Sequence, residues 1–359
     1  MTRKKKTSRP DEAALGSGPP TLKTIAFMTG YSVTAVSRAL KDAPDIGMET
    51  KRRVRMVAQQ IGYRPNRAGV RLRTGKTNVI SLVLNTEEEV MGLTSQMVYG
   101  ISEVLRGTPY HLVITPYPLA GDPMEPVRYI VETGSADGII LSRTELQDRR
   151  VRYLTEHGMP FATHGRTDMG IDHPWHDFDN ERFSRDAVDR LAARGVKRAA
   201  LIPPPDILTY ARHMKAGFAA GLRAHGIQQV ALDTVTVDDN LDTIQAGIHE
   251  IMRTPGRPDG IVCGSGSAAI AATAGIEQAG LTVGRDVYIV SKQHTNILKR
   301  FRREIEVINE DVRQGGRDLA TCVIRSIEGV PANELHFLSY PDDPGFDAGE
   351  PEATSMLAV

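Results

Sequence analysis

The sequence predicts an N-terminal all-α helix-turn-helix unit, a short helix after it, and then a two-lobed α/β core built on parallel sheets. Three observations carry that expectation. Residues 21–65 hold short apolar stripes at helical spacing, broken by Gly30. From Thr77 onward, buried-strand runs alternate with helical stretches, the pattern of a parallel sheet covered on both faces. That alternation runs through two comparable rounds, before and after Trp175, which implies two lobes with a cleft between them.

In the head, Leu22, Ile25 and Ala26 form one short stripe, Gly30 permits a sharp turn, and Ser32 is suited to cap a helix over Val33–Leu40. Val36, Ala39 and Leu40 pack inward, which leaves Val33, Thr34, Ser37 and Arg38 on the opposite face. A third helix near Glu49–Ile61 turns Val54, Val57, Ala58 and Ile61 inward, with Lys51, Arg52, Arg53 and Arg55 expected in water. Pro65 stops any helix at Arg64, and Asn66 can cap a two-turn helix from Arg67 to Arg73. A helix that short is unstable alone and folds when something holds it.

The first round of the core reads strand Val79–Leu84, helix Ser95–Leu105, strand His111–Thr115, helix Pro126–Val131, strand Gly138–Leu141, helix Arg150–His157 and strand Pro160–Thr163. The second reads helix Asn180–Ala193, strand Arg198–Ile202, helix Arg212–His225, strand Val230–Val237, helix Asp242–Met252, strand Gly260–Cys263, helix Ser267–Gln278 and strand Val287–Ser291.

The formal net charge of the 359 residues is zero, but it is divided. Residues 1–77 hold 17 Lys and Arg against 5 Asp and Glu, and the remainder holds 27 against 39, so a +12 head precedes a −12 body. A basic surface around a helix-turn-helix points to phosphate, hence nucleic acid. Residues 1–20 have almost nothing to bury and read as a disordered basic tail. The two cysteines, Cys263 and Cys322, lie in apolar runs and read as core thiols rather than a disulfide or a metal site. No run reaches the ~20 apolar residues of a membrane span, and the N-terminus lacks the apolar core of a signal peptide, so a cytoplasmic protein without cofactor is expected.

The stretches TLKTIAFMTGYSVTAVSRAL and, more specifically, GYRPNRAGVRLRTGKTN from Gly62 to Asn78 resemble the lactose and galactose repressor family of bacterial transcription regulators. The resemblance implies a DNA-binding domain at 21–65 and a hinge helix at 66–75. It also implies a periplasmic-binding-protein-like core at 76–345 and a flexible tail at 346–359. The chain would cross between lobes three times, near 170, 297 and 329, giving lobe 1 as about 76–170 and 298–329 and lobe 2 as about 171–297 and 330–345. Val33, Thr34, Ser37 and Arg38 would read base edges of a near-palindromic operator, and Thr21, Ser32 and Asn66 would hold phosphates, with Arg67 beside them. Leu72 would be the wedge that paired hinge helices drive between base steps in the minor groove. The tail after Tyr340 has no heptad pattern, so a homodimer is expected rather than a coiled-coil tetramer.

Ligands of open α/β lobes meet the carboxyl ends of strands, which singles out Asn85, Thr86, Ser142, Arg143, His164, Gly165 and Arg166. By the resemblance, Arg212, five residues before Gly217, grips sugar hydroxyls, a task that suits a planar multiple donor. Asp179 and Asn180 match a family pair that serves either as a helix cap or as a ligand contact. Trp175, the only tryptophan, either stacks on a pyranose ring or is core. Two departures stand out: Ser265 and Gly266 replace the family's usual Asn-Asp, and Gln293 and His294 replace its Asp-Asp. With those carboxylates replaced, the effector could be a polyol, a disaccharide or a molecule carrying negative charge. Enzyme readings are weak. CGSGSAA from Cys263 lacks the third glycine of a dinucleotide loop, and His173, His176 and Asp177 have no specific metal spacing. The alternative from another class is a sugar-binding protein of a transport system, against which the +12 head argues.

Overall fold

In the computed structural model, which describes residues 19–63, 75–86, 92–232, 235–295 and 297–341, the chain divides into two units, Met1–Thr77 and Asn78–Val359. The predicted hinge helix, with Asn66, Arg67 and Leu72, lies outside the described residues.

The first unit contains α1 (Leu22–Thr29), α2 (Val33–Leu40) and α3 (Met48–Gln60). Thr21 caps α1: its hydroxyl accepts from Thr24 N at 3.3 Å, and its own N–H donates to Thr24 Oγ1 at 3.1 Å, so two orphan donors are satisfied reciprocally. Gly30 ends the helix at φ +78°, a left-handed conformation that costs glycine nothing and frees α2 to turn sharply. Ser32 caps α2 through Ala35 N at 3.2 Å. Ile25, Val36, Ala39, Val54 and Ala58 form the core, and each large aliphatic among them contributes about 1.5–3 kcal/mol by burial. Lys51 does not face water but is 6 % exposed, with Nζ 3.2 Å from the Asp42 carbonyl and 3.1 Å from its carboxylate. Asp42 sits at φ +61° in the turn after α2, and only that non-local turn brings an anion under α3.

The second unit holds two parallel sheets. Lobe 1 contains β1 (Val79–Thr86), α4 (Leu93–Leu105), β2 (His111–Pro118), α5 (Met124–Thr133), β3 (Gly138–Leu141), α6 (Arg149–Glu156), β4 (Phe161–His164) and β5 (Trp175–Phe178). Lobe 2 contains α7 (Asn180–Ala193), β6 (Arg198–Ile202), α8 (Thr209–His225), β7 (Gln228–Gln229), α9 (Leu241–Met252), β8 (Gly260–Cys263), α10 (Gly266–Gln278), β9 (Tyr288–Gln293), α11 (Ile297–Phe301) and β10 (Ile305–Asn309). The chain then returns to lobe 1 with α12 (Val312–Ile327) and β11 (His336–Ser339). The strand orders are β11-β5-β4-β3-β1-β2 and β10-β9-β8-β6-β7. Apolar clusters cover both faces of each sheet, so central strands such as GIIL and GIVC are wholly buried.

Glycines set the helix pairs. A Cβ at Gly217 of α8 would overlap the Glu181 carbonyl of α7, and one at Gly100 of α4 would overlap the Arg313 carbonyl of α12. Backbones approach there as close as they can.

The lobe boundaries differ from those expected. Residues 175–178 form a strand of lobe 1, residues 298–309 belong to lobe 2, and β11 pairs with β5 in lobe 1. Among the described residues the passages between lobes therefore fall at 178–180 and 309–312, residues 330–339 stay with lobe 1, and Tyr340 after β11 lies under Arg182 of α7 at 5.7 Å. WHDF is too short and polar to read as a strand; its partners β4 and β11 give it its ladder. The strand after α8 is β7, Gln228–Gln229, ahead of the expected Val230–Val237, whose described residues 230–232 and 235–237 form no strand. Beyond Ile202, Pro203, Pro204 and Pro205 have no N–H with which β6 could continue a ladder. Val237 N donates instead to the Pro203 carbonyl at 2.9 Å.

Candidate functional site

On the head, α2 presents Val33, Thr34 and Arg38 to solvent, with Ser37 half-buried beside them. Arg38 reaches Asp45 at 2.6 Å, yet both side chains stay about half exposed, so the guanidinium remains accessible. Thr21 and Ser32 are spent as caps toward the backbone. A hydroxyl that accepts still has its own proton to donate, so neither loses the capacity to meet a phosphate oxygen. Arg52, Arg53 and Arg55 are exposed along α3.

In the core, the carboxyl ends of both sheets face one cavity of about 510 Å³, within the range of small-molecule sites. Of the residues singled out in the sequence, Asn85, Ser142, Arg143, His164, Gly165, Ser265 and Gly266 line it. Ser265 also caps α10, accepting from Ala268 N at 3.2 Å. Others lie elsewhere. Arg166, Asp179 and Arg212 line a separate outer groove of about 460 Å³. There Arg212 Nη1 donates to Asp168 across the lobes at 2.5 Å, and Asp179 caps α7 through Arg182 N at 2.9 Å. Asn180, next in the chain, does line the cavity. Trp175 stacks on His336 at 4.7 Å with Arg166 5.4 Å above it, on the sheet of lobe 1. Gln293 is fully buried, its Nε2 donating to Asn309 Oδ1 at 2.7 Å, and is not part of the cavity wall.

The residues that the sequence did not reveal form the cavity floor. Lys292, at the end of β9, lies 2.8 Å from Glu310, which follows β10; the two side chains are 7 % and 4 % exposed. Lys292 Nζ donates to Asn180 Oδ1 at 3.1 Å and sits over Phe178 and Tyr210 at 5.4 and 5.2 Å. Burial alone would raise the Glu310 carboxyl, but the Lys292 ammonium and a hydrogen bond from His164 hold it well below the usual range. Burial pushes His294 down to about 4, so its ring is neutral at pH 7, and its Nδ1 has no hydrogen-bond partner. The signal was present: a lysine closing the buried run YIVSK, and an acid directly after IEVIN, both at carboxyl ends of strands.

The carboxylates missing from positions 265–266 and 293–294 are thus supplied from other segments. Asp177, Asp238, Asp239 and Glu310 line the cavity against the two cations Arg143 and Lys292. His173 bonds to Thr163 and the Ile171 carbonyl and His176 to Asp318, away from the cavity wall, while Asp177 on that wall is paired with Arg166. Among the described residues no His, Cys, Asp and Glu group is placed to hold a metal, and no helix is long and apolar enough to cross a membrane. Both cysteines are buried, which pushes the Cys322 thiol up to about 12 and Cys263 further.

A helix-turn-helix head with an exposed cationic reading face, followed by a two-lobed core around a polar cavity, is the organisation of a ligand-responsive DNA-binding transcription regulator. Residues 21–66 match the family described as "Bacterial regulatory proteins, lacI family", and residues 188–341 match "Periplasmic binding protein-like domain". The chain is 30% identical over 323 residues to the HTH-type transcriptional regulator AglR of Rhizobium meliloti (strain 1021), covering 86% of this chain and 88% of that one. It is 32% identical over 328 residues to the regulator RafR of Escherichia coli, covering 89% and 96%. Among solved structures, a lac repressor dimer bound to operator and the anti-inducer ONPF has a TM-score of 0.76 at 21% identity, covering 90% of this chain and 97% of that one. The transcriptional regulator CelR in complex with cellobiose has a TM-score of 0.66 at 22% identity, covering the same shares. The chain belongs to the LacI family of bacterial regulatory proteins. The transport alternative is set aside by that membership.

Proposed function

We propose that this regulator is a dimeric repressor of carbohydrate uptake or catabolism genes, and that a neutral, polyhydroxylated effector, a sugar or polyol, binds in the core cavity and changes operator affinity. The observation that carries this reading is the cavity wall. Two cations and four carboxylates offer donors and acceptors; Arg143 is already paired with Asp238 and Lys292 with Glu310, and Asp177 is held by Arg166, which leaves the charge of Asp239. A sugar phosphate or an acid would meet excess negative charge, whereas hydroxyl groups can bridge such pairs and dispense with a counter-charge. Phe178 and Tyr210 beside Lys292 add apolar surface for a ring face. The cellobiose complex of CelR supports a saccharide of this kind.

Val33, Thr34, Ser37 and Arg38 are proposed to read bases, with Thr21, Ser32, Asn66 and Arg67 on phosphates and Leu72 in the minor groove. The homodimer is supported by the edge strand β2, whose Val113 and Ile114 are each 45 % exposed, and by Tyr99 on α4 at 58 %. Effector and operator then oppose each other through the lobe passages, each weakening the other by one factor. The test is a thermal-shift screen of the purified protein against neutral saccharides, polyols and sugar phosphates. A ligand at 100 times its dissociation constant adds ~2.7 kcal/mol. A neutral saccharide that stabilises the protein and alters its mobility-shift midpoint on operator DNA is expected; stabilisation by sugar phosphates alone overturns the reading.

A further inference from the structure

Residues 143–146 leave the end of β3 in lobe 1 and meet residues 207–209, which open α8 in lobe 2. Glu145 and Leu208 form an antiparallel bridge, Leu146 N donates to the Ile207 carbonyl at 3.2 Å, and Thr209 N to the Thr144 carbonyl at 3.1 Å. Beside this bridge the Arg143 guanidinium faces Asp238 of lobe 2 in a fork, with Nη1 donating to Oδ1 at 3.0 Å and Nη2 to Oδ2. The two side chains are only 18 % and 11 % exposed, so solvent screens this pair far less than an open one. A second cross-lobe pair, Arg212 with Asp168, is about half exposed on both sides and contributes little by comparison.

Arg143 has φ +55°, a left-handed conformation that an arginine adopts only when its surroundings impose it. Its carbonyl accepts from Arg150 Nη2 at 2.8 Å, and the Arg150 guanidinium, 1 % exposed, is held in turn by Asp148 at 3.0 and 2.7 Å. A buried framework of one lobe thus fixes an unfavourable backbone at the residue whose side chain grips the other lobe. We infer that Arg143 and Asp238 form a latch across the cavity mouth, with Arg150 as its positioning residue, that keeps the lobes closed and gates entry to the cavity whatever the effector is.

The test reads lobe closure directly and needs no ligand. Amide hydrogen exchange of the full chain is followed by mass spectrometry in peptides covering 143–148 and 205–210, for the wild type, Asp238→Asn and Arg143→Asn. Asparagine removes the charge and tolerates the left-handed conformation. Each variant is expected to speed exchange of the Leu146 and Thr209 amides about tenfold, equivalent to about 1.4 kcal/mol of opening free energy, and to leave the amides of β3 and β8 unchanged. Unchanged exchange at Leu146 and Thr209 overturns the latch. Faster exchange in β3 and β8 to the same degree overturns it too, because the pair would then support the whole core rather than the mouth.

Discussion

Replacing Lys292 by methionine isolates the ion pair at the cavity floor. At 2.8 Å from Glu310 and an effective dielectric of about 20, the gross attraction is about 6 kcal/mol, most of it offset by the desolvation of two buried ions. Lys292→Met keeps the aliphatic stem but leaves the Glu310 carboxylate buried beside neutral His294, which costs about 3–5 kcal/mol. Glu310→Gln alone strands the ammonium over Phe178 and Tyr210, whose ring faces compensate in part. The double variant strands neither charge and should cost much less than the two single costs together. Urea unfolding at pH 7.5 measures all four proteins, with fluorescence of Trp175, the chain's only tryptophan, reporting on the core. The expected coupling is at least about 2 kcal/mol. Additivity within about 0.5 kcal/mol would mean that the two charges are independently solvated and would refute a coupled ion pair at the cavity floor.

His294 gives a pH dependence of known sign. Its folded value is about 4 against an ordinary 6.5, so between those limits only the unfolded chain takes up the proton. The stability is complete above pH 6.5 and is lost as pH falls toward 4, by about 3 kcal/mol, so His294→Gln should reduce the change in urea midpoint between pH 7.5 and 5.0, the remainder coming from His173 and His213, which burial also lowers. Glu310 is also depressed, but its contribution is lost only as pH falls below the usual carboxylate range, outside that window. Gly217→Ala should lower the melting temperature by several degrees, since the Cβ meets the Glu181 carbonyl and overpacking costs about 1–3 kcal/mol. Gly256→Ala, which meets nothing within 4 Å, is its control, and equal melting temperatures would contradict the close approach of α7 and α8. On the head, operator affinity should fall with log salt at a slope of about −0.9 for each phosphate neutralised, and a flat titration would remove the phosphate role of the basic surface.

The sequence by itself determined the local structure and the architecture. Val33–Leu40 has the bounds read from Ser32 and the apolar spacing, because capping and periodicity act over a few residues. GIIL and GIVC were legible as buried strands for the same reason. The division into a basic head and an acidic core needed only counting. Tertiary structure decided whatever depends on partners distant in the chain. WHDF is a strand because β4 and β11 flank it, and Lys51 is buried because a left-handed Asp42 turns beneath α3. The cavity was assembled in the same way. Position rules found Ser142, Arg143 and Ser265, but Asp238 and Glu310 enter from a loop and from a strand left unread, and Arg212 was drawn away by Asp168 on the other lobe. Charges pair through space over a few ångströms, and no spacing along the chain encodes which acid will lie opposite which base.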